Sequence, residues 1–252
     1  MRPTLKDAGR LGRAGTLRDH GARRGAAALA AVSLIVLLIA AAAVIPSISE
    51  RAAAADDLTR QALIGPRNLT CQRVVLLLDQ SGSMTEYAQV RTDAMTTLGQ
   101  WAPDNLRADD ELSVVRWADT AIADTPPTRV DALTSSSFTA GSADVGGGTD
   151  VLPAVRLVAD LASTPCRTSL VFISDGQIAQ AHAAQLDAAL QKAGVDRVSL
   201  VLPNATATPE YWMRLFPYAE ALHADPNNPN QTARALGQAI ASATGQQLQV
   251  QR

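Results

Sequence analysis

Three apolar segments with little or no polar alternation predict the interior strands of this chain, at residues 73–79, 169–174 and 198–202. Runs of this kind are typical of strands that are buried on both faces of a parallel sheet. Segments with helical spacing of apolar residues lie between and after them, at 84–101, 151–162, 179–193 and 231–243. Strands that alternate with helices predict an α/β domain in which helices cover both faces of a mostly parallel sheet.

Three weaker segments complete a predicted sheet of six strands. Residues 112–117 form a further apolar run, and residues 218–222 form a short one. Residues 120–130 contain Pro126 and Pro127, which favours an edge position because proline cannot donate to a neighbouring strand. Right-handed crossovers then place strands 73–79 and 169–174 side by side, near the point where the strand order reverses. We therefore expect a Rossmann-like, doubly wound sheet.

A long uncharged stretch precedes this domain. Residues 26–48 are rich in Ala, Leu, Ile and Val, and a helix of about 20 residues crosses about 30 Å of hydrocarbon. Residues 1–25 hold seven Lys and Arg against two Asp, so the positive-inside rule predicts a cytoplasmic N-terminus and export of everything beyond residue 50. A cleaved signal peptide, with small residues at 52–55, is the alternative, and it also exports the domain.

The predicted organisation has five parts. These are a basic cytoplasmic tail (1–25), a transmembrane helix (26–48), a connector (49–70), the α/β domain (71–246) and a C-terminal tail (247–252). The formal net charge is −2, and the tail contributes +5 (seven minus two), so the remainder carries −7 (−2 minus 5). An acidic domain offers no electrostatic basis for nucleic-acid binding.

The chain has two cysteines, Cys71 and Cys166. Each comes shortly before one of the two strands that are predicted to be neighbours, so both thiols fall at the same end of the sheet. An exported domain can keep a disulfide. A Cys71–Cys166 bridge is therefore favoured, with two unrelated buried thiols as the alternative.

Oxygen-bearing side chains follow the predicted strands. Asp79, Ser81 and Ser83 come directly after the first buried strand, and Gly82 lets the backbone turn tightly between the two serines. Thr149 precedes a predicted helix, and Asp175 ends a second buried strand. Because open α/β sheets bind ligands at the carboxyl ends of their strands, we expect these residues to converge. Hydroxyls and carboxylates are hard donors that suit Mg²⁺, Mn²⁺ or Ca²⁺.

With these motifs, residues 70–245 resemble the von Willebrand factor A (VWA) domain family. The metal ion-dependent adhesion site of that family is written Asp-x-Ser-x-Ser, a distant Thr and a later Asp, which stand here at 79–83, Thr149 and Asp175. The resemblance implies that Ser81, Ser83 and sometimes Thr149 contact a divalent cation directly, with Mg²⁺ preferred. Asp79 and Asp175 would act largely through waters. The Ala- and Arg-rich composition indicates a bacterial member.

The resemblance also implies a function without catalysis. A carboxylate from a partner protein would complete the coordination of the cation, in adhesion, assembly or scaffolding. One alternative is a VWA subunit of a larger complex that works with an ATPase or a chelatase-type partner. Another is a hydrolase that uses Ser81 or Ser83, which would need a histidine poised on the serine, and His182 follows Asp175 in sequence.

Each motif also has a simpler explanation when it is taken alone. Asp79 and Ser81 could form a turn that caps the following helix, and Thr149 could be an N-cap. Asp175 could belong to a turn that ends a strand. The three motifs together, in this order and each at a strand or helix junction, favour a metal site over three unrelated turns.

Overall fold

The computed structural model describes residues 55–138, 141, 143–161, 164–179, 183–203 and 207–251. The chain divides into two compact units, Met1–Arg51 and Ala52–Arg252, and all of the described residues belong to the second unit. The predicted cytoplasmic tail and transmembrane helix lie outside the described residues. Within the described ranges, no helix combines the length and the apolar composition needed to span a bilayer.

Within the residues that the structure describes, the second unit includes the following strands and α-helices. The strands are β1 (Gln61–Ile64), β2 (Gln72–Asp79), β3 (Glu111–Trp117), β4 (Ala121–Arg129), β5 (Arg167–Ile173), β6 (Val195–Leu202), β7 (Glu220–His223) and β8 (Gln247–Val250). The helices are α1 (Ala88–Asn105), α2 (Leu152–Asp160), α3 (Ala183–Lys192), α4 (Glu210–Leu215) and α5 (Pro229–Thr244). Short 3₁₀ helices cover Leu58–Arg60, Gly82–Tyr87, Val130–Ala132 and Ser135–Phe138.

Six strands form the main sheet, in the order β4-β3-β2-β5-β6-β7. All neighbours are parallel except β3 and β4, which are antiparallel, and the proline-containing β4 lies at an edge as predicted. Strand β2 lies between β3 and β5, and all eight of its residues are buried. The predicted pairing of the 73–79 and 169–174 strands is confirmed by the register of β2 and β5, which opposes Leu78 to Ile173.

The two faces of the sheet pack against different helices. Because side chains alternate along a strand, Leu76 and Leu78 of β2 point into the core that contains α1 and α5. Val75 and Leu77 point into the second core, which α2, α3 and α4 cover. An aromatic cluster lies in this second core, where the ring centroids of Phe172 and Trp212 are 5.0 Å apart. The sheet is therefore held rigidly from both sides, and its carboxyl-end loops are carried by fixed elements.

Two of the differences between the structure and the predicted elements concern the terminal segments and the end of the first helix. Strands β1 and β8, in the predicted connector and C-terminal tail, pair antiparallel in a second sheet of two strands. The first helix is predicted to end at residue 101, ahead of Pro103, and this prediction is wrong, since α1 continues through the proline to Asn105. The proline lies in the last turn, where its missing N–H removes a single helical bond while Trp101 and Ala102 keep their buried packing.

The two cysteines lie at the amino ends of neighbouring strands. Cys71 and Cys166 form a disulfide that joins positions 95 residues apart in sequence. Beside it, the amide of Arg167 donates to the Cys71 carbonyl oxygen over 3.0 Å. The covalent link therefore closes the end of the β2–β5 pair that lies opposite the predicted metal site.

Candidate metal centre

The carboxylate of Asp79 lies at the centre of the predicted site. This last residue of β2 is fully buried, and its Oδ1 accepts from the Ser81 amide over 2.8 Å. Its Oδ2 accepts from the Ser174 hydroxyl over 2.6 Å. Burial raises the pKa of Asp79, the hydrogen bonds from Ser174 and Ser81 oppose that rise, and the nearby charge of Asp175 adds to it. The carboxylate is thus fixed on both oxygens and disfavoured as a lone charge.

The two serine hydroxyls lie side by side above this carboxylate. Ser81 Oγ and Ser83 Oγ are 3.3 Å apart, with Ser81 buried and Ser83 exposed. The Met84 amide donates to the Ser81 carbonyl oxygen over 2.9 Å, which begins the 3₁₀ helix Gly82–Tyr87. This tight turn directs both hydroxyls to one place, as the Asp-x-Ser-x-Ser spacing predicts.

Asp175 approaches the site from the next strand. It lies two positions after the end of β5, is 4% exposed, and its Oδ1 accepts from the Gln177 amide over 2.9 Å. Ser174 links this loop to the first one, because its Oγ donates to Asp79 and accepts from the Gly176 amide over 3.0 Å. Gly176 has a φ of +73°, a backbone conformation that glycine adopts without strain.

Main-chain hydrogen bonds hold the Thr149 segment against both of these loops. The Gly82 amide donates to the Gly147 carbonyl oxygen over 3.3 Å. The Ala179 amide, in the loop that follows Asp175, donates to the Thr149 carbonyl oxygen over 2.9 Å. The structure therefore brings together the three loops that carry all five predicted metal-site residues at the carboxyl end of the sheet.

The donor set fits a divalent cation. Asp79 and Asp175 are both buried, and neither forms an ion pair with a Lys or Arg in the described part of the chain. The guanidinium of the buried Arg91 donates to the main-chain oxygen of Asp79. The charge of Arg91 also interacts with that of Asp79. One guanidinium is nevertheless set against two neighbouring buried carboxylates, which are costly unless a further cation compensates them. Cation charge placed at the adjacent serine hydroxyls would supply that compensation.

This site differs from clusters built on histidine, cysteine and carboxylate alone. Across the ranges that the structure describes, no group of three or more His, Cys, Asp or Glu side chains is arranged to hold a metal ion. The candidate site combines two carboxylates, the hydroxyl groups of Ser81 and Ser83, and the main-chain segment that carries Thr149. His182, the histidine considered for a hydrolase, lies outside the described residues.

Sequence reasoning missed three residues that shape the site. Ser174 bridges two loops, Arg91 holds the end of β2, and Asp119 binds the glycine segment before Thr149. Ser174 directly precedes a predicted site residue, and Asp119 comes two positions after the 112–117 strand, so their positions at strand ends were visible. Arg91 gave no signal, because a charged residue in a helix is ordinarily exposed.

The fold and the site define a VWA-type domain. The sequence profile of the family described as "VWA domain containing CoxE-like protein" matches residues 46–225, which is well over half of the chain. The chain belongs to this family. A comparison with curated proteins gave no match.

Solved structures share the fold at low sequence identity. A von Willebrand factor type A protein from Catenulispora acidiphila aligns with a TM-score of 0.54 and 16% identity, over 68% of this chain and 43% of that one. Proximal thread matrix protein 1 from the mussel byssus aligns with a TM-score of 0.51 and 11% identity, over 70% of this chain and 50% of that one. A further structure of the mussel protein, with a TM-score of 0.50 and 11% identity, is described as having a zinc-occupied MIDAS motif. This chain thus spans half or less of these proteins.

Proposed function

We propose that this domain binds a divalent cation at the carboxyl end of its sheet and, through it, an acidic group of a partner protein. The observation that carries the proposal is the pair of buried carboxylates, Asp79 and Asp175, beside two hydroxyls whose oxygens are 3.3 Å apart. VWA domains are generally interaction modules rather than enzymes. We therefore propose adhesion, assembly or scaffolding, without catalysis by this chain.

The proposed roles of the residues follow from the chemistry of their side chains. Ser81, Ser83 and Thr149 would hold the cation, because hydroxyls contact it without cancelling its charge. Asp79 and Asp175 would balance that charge from behind and orient the hydroxyls and waters. The cation would then supply an electrophilic position that a carboxylate of the partner can fill. Mg²⁺ is the proposed ion, with Mn²⁺ and Ca²⁺ as alternatives.

Calorimetric titration of the full-length chain in detergent with Mg²⁺, Mn²⁺ and Ca²⁺ tests the metal site. We expect saturable one-to-one binding, loss of binding in Asp79→Ala, and weakening by about 10-fold or more in Ser83→Ala, in line with the effect of removing a group from a metal site. Asp131→Ala is the matched control, because Asp131 is an exposed carboxylate paired with Arg129 at the other end of the sheet. Absence of saturable binding for all three ions, or an unchanged titration in Asp79→Ala, contradicts the proposal.

We further propose that residues 26–48 anchor the chain in the membrane, with residues 1–25 in the cytoplasm and the VWA domain outside. The composition of that stretch supports an anchor, and the Cys71–Cys166 disulfide suits an oxidising compartment.

The redox state of the two cysteines in cells tests this location. In cells lysed with a thiol-blocking reagent, we expect both cysteines to resist alkylation until a reductant is added. Alkylation of both cysteines without reduction would favour the alternative, a cytoplasmic subunit that works with an ATPase or chelatase-type partner.

A further inference from the structure

Asp119 connects the turn between β3 and β4 to the glycine segment before Thr149. Its Oδ2 accepts from the amides of both Gly147 and Gly148, each over 3.1 Å. The same turn is held by main-chain bonds, since the Asp119 amide donates to the Val145 carbonyl oxygen and the Asp150 amide donates to the Ala118 carbonyl oxygen, each over 3.0 Å. One carboxylate thus organises the peptide groups immediately before a proposed metal ligand.

The glycine segment is shaped around this carboxylate. A Cβ atom added to Gly146 or Gly148 would collide with the side chain of Asp119. A Cβ atom added to Gly147 would meet nothing within 4 Å. The Asp119 carboxylate therefore lies against the α-carbons of two of the three consecutive glycines, and a larger residue at either position would displace it.

The segment that Asp119 holds also touches the serine pair. The Gly147 carbonyl oxygen accepts from the amide of Gly82, the residue between Ser81 and Ser83, and Thr149 directly follows Gly148. A displacement of the glycine segment would therefore change the position of Thr149 relative to both serines.

We propose that Asp119 is a positioning residue of the metal site, which sets the placement of Thr149 against Ser81 and Ser83. This inference depends on the proposed function for its effect on cation binding. Asp119 acts through hydrogen bonds to the main chain rather than as a ligand, because the oxygen it directs at the segment is already shared by two amides. Nothing in this role requires its charge.

Two variants of Asp119 separate position from charge. Asp119→Ala removes the acceptor, and we expect it to weaken Mg²⁺ binding by about 10-fold or more. Asp119→Asn keeps a side-chain oxygen that can accept from both glycine amides. We therefore expect the Mg²⁺ affinity of this variant to stay within about 3-fold of the wild type, where the 3-fold margin allows for the lost negative charge. Equal losses in the two variants would overturn the positioning role, as would wild-type affinity in Asp119→Ala.

Two glycine variants give a matched comparison on the same segment. Gly148→Ala places a methyl group against Asp119 and should weaken Mg²⁺ binding, whereas Gly147→Ala points into open space and should leave it unchanged. Both variants keep the amide donors and both lose one glycine, so a general effect of stiffening the loop would appear in each. Equal affinities in the two variants would contradict the inference.

Coupling to Thr149 shows whether Asp119 acts through that residue. In a Thr149→Ala background, we expect Asp119→Ala to cause little further loss of Mg²⁺ affinity, because residues that act as a unit are not additive. A full additional loss would show that Asp119 acts on the site by another route, and would overturn the proposal.

A measurement without metal distinguishes failure of this inference from failure of the proposed function. In the metal-free protein, the amides of Gly147 and Gly148 should exchange with deuterium faster in Asp119→Ala than in the wild type and in Asp119→Asn. Unchanged exchange would remove the structural basis of the inference. Faster exchange in a protein that binds no cation would keep Asp119 as the residue that holds the segment, and would reject the metal site and with it the metal-positioning role.

Discussion

Asp79 is the residue whose burial and charge argue most directly for a bound cation. It combines full burial with hydrogen bonds on both carboxylate oxygens and a second buried carboxylate nearby. Such a group is well oriented but poorly compensated in charge. Its contribution to stability should therefore change sign when a cation is bound.

The Asp79→Asn variant tests this change of sign. Burial raises the pKa of Asp79 above its unfolded value of 3.8, so at neutral pH the folded state carries an ionised group that it disfavours. In EDTA, the neutral amide should leave the free energy of unfolding unchanged or increase it. With Mg²⁺ at 100 times its dissociation constant, the wild type should gain about 2.7 kcal/mol and the variant should gain nothing. Urea unfolding in both buffers measures the two differences.

The matched control for this comparison is Asp131→Asn, which removes an exposed carboxylate and should keep the full gain from Mg²⁺. A gain from Mg²⁺ that persists in Asp79→Asn would show that the buried carboxylate does not support cation binding. Strong destabilisation of Asp79→Asn in EDTA would show instead that the ionised form is needed for the fold itself.

At the same scale, the sequence predicts some site residues better than others. Asp79 and Asp175 stand at the ends of apolar runs, so the location of each was visible from its immediate neighbours. The contacts of Ser174 and Asp119 were not, because Ser174 bonds to a residue 95 positions away and Asp119 to residues 28 and 29 positions away. A local pattern indicates where a side chain stands, while its partner depends on the tertiary fold.

Among the strands, too, some are predictable from the sequence and others are not. Strands β2 and β5 are predictable because every residue of β2, and six of seven in β5, is buried, and because each contains an uninterrupted apolar run, at 74–78 and 170–173. Strands β1 and β8 have four residues each and are partly exposed, so their sequences carry little pattern. They exist because each completes the hydrogen bonds of the other, beside a helix that ends at the left-handed Gly245.

The start of α1 shows the same effect on a helix. Helical spacing predicted that it begins near residue 84, whereas the structure has the 3₁₀ helix Gly82–Tyr87 first and α1 from Ala88. The Met84 amide bonds to Ser81, three residues back, as in a 3₁₀ helix. The tighter winding is tied to the turn that directs the two serine hydroxyls, a constraint that apolar spacing alone does not reveal.

Charge is distributed unevenly over the domain as a whole. Six ion pairs lie at the amino end of the main sheet and neutralise one another there: Arg67–Asp110, Arg73–Glu111, Arg107–Asp109, Arg129–Asp131, Arg167–Asp196 and Lys192–Asp160. The described carboxyl-end segments 79–87, 118–120, 143–150 and 174–179 contain six acidic residues and no Lys or Arg. Much of the net negative charge of the domain therefore surrounds the candidate metal centre.

This distribution predicts that cation binding depends on ionic strength. The screening length falls from about 10 Å at 0.1 M salt to about 3 Å at 1 M, which removes the attraction of acidic groups that do not touch the ion. We expect the Mg²⁺ dissociation constant to rise by about 10-fold between 0.1 and 1 M tetramethylammonium chloride, a salt whose bulky cation does not compete for the hydroxyls, given that several such charges each contribute a fraction of a kcal/mol.

Two neutralising variants locate the source of that dependence. Glu86 is exposed in the 3₁₀ helix that follows the serines, so Glu86→Gln should reduce the salt dependence while leaving the bound ion in place. Asp131→Asn removes the same charge at the opposite end of the sheet and should leave the dependence unchanged, because the separation exceeds the screening length. A Mg²⁺ dissociation constant that does not change with salt, or equal effects of the two variants on its salt dependence, would mean that only the groups in contact with the cation attract it.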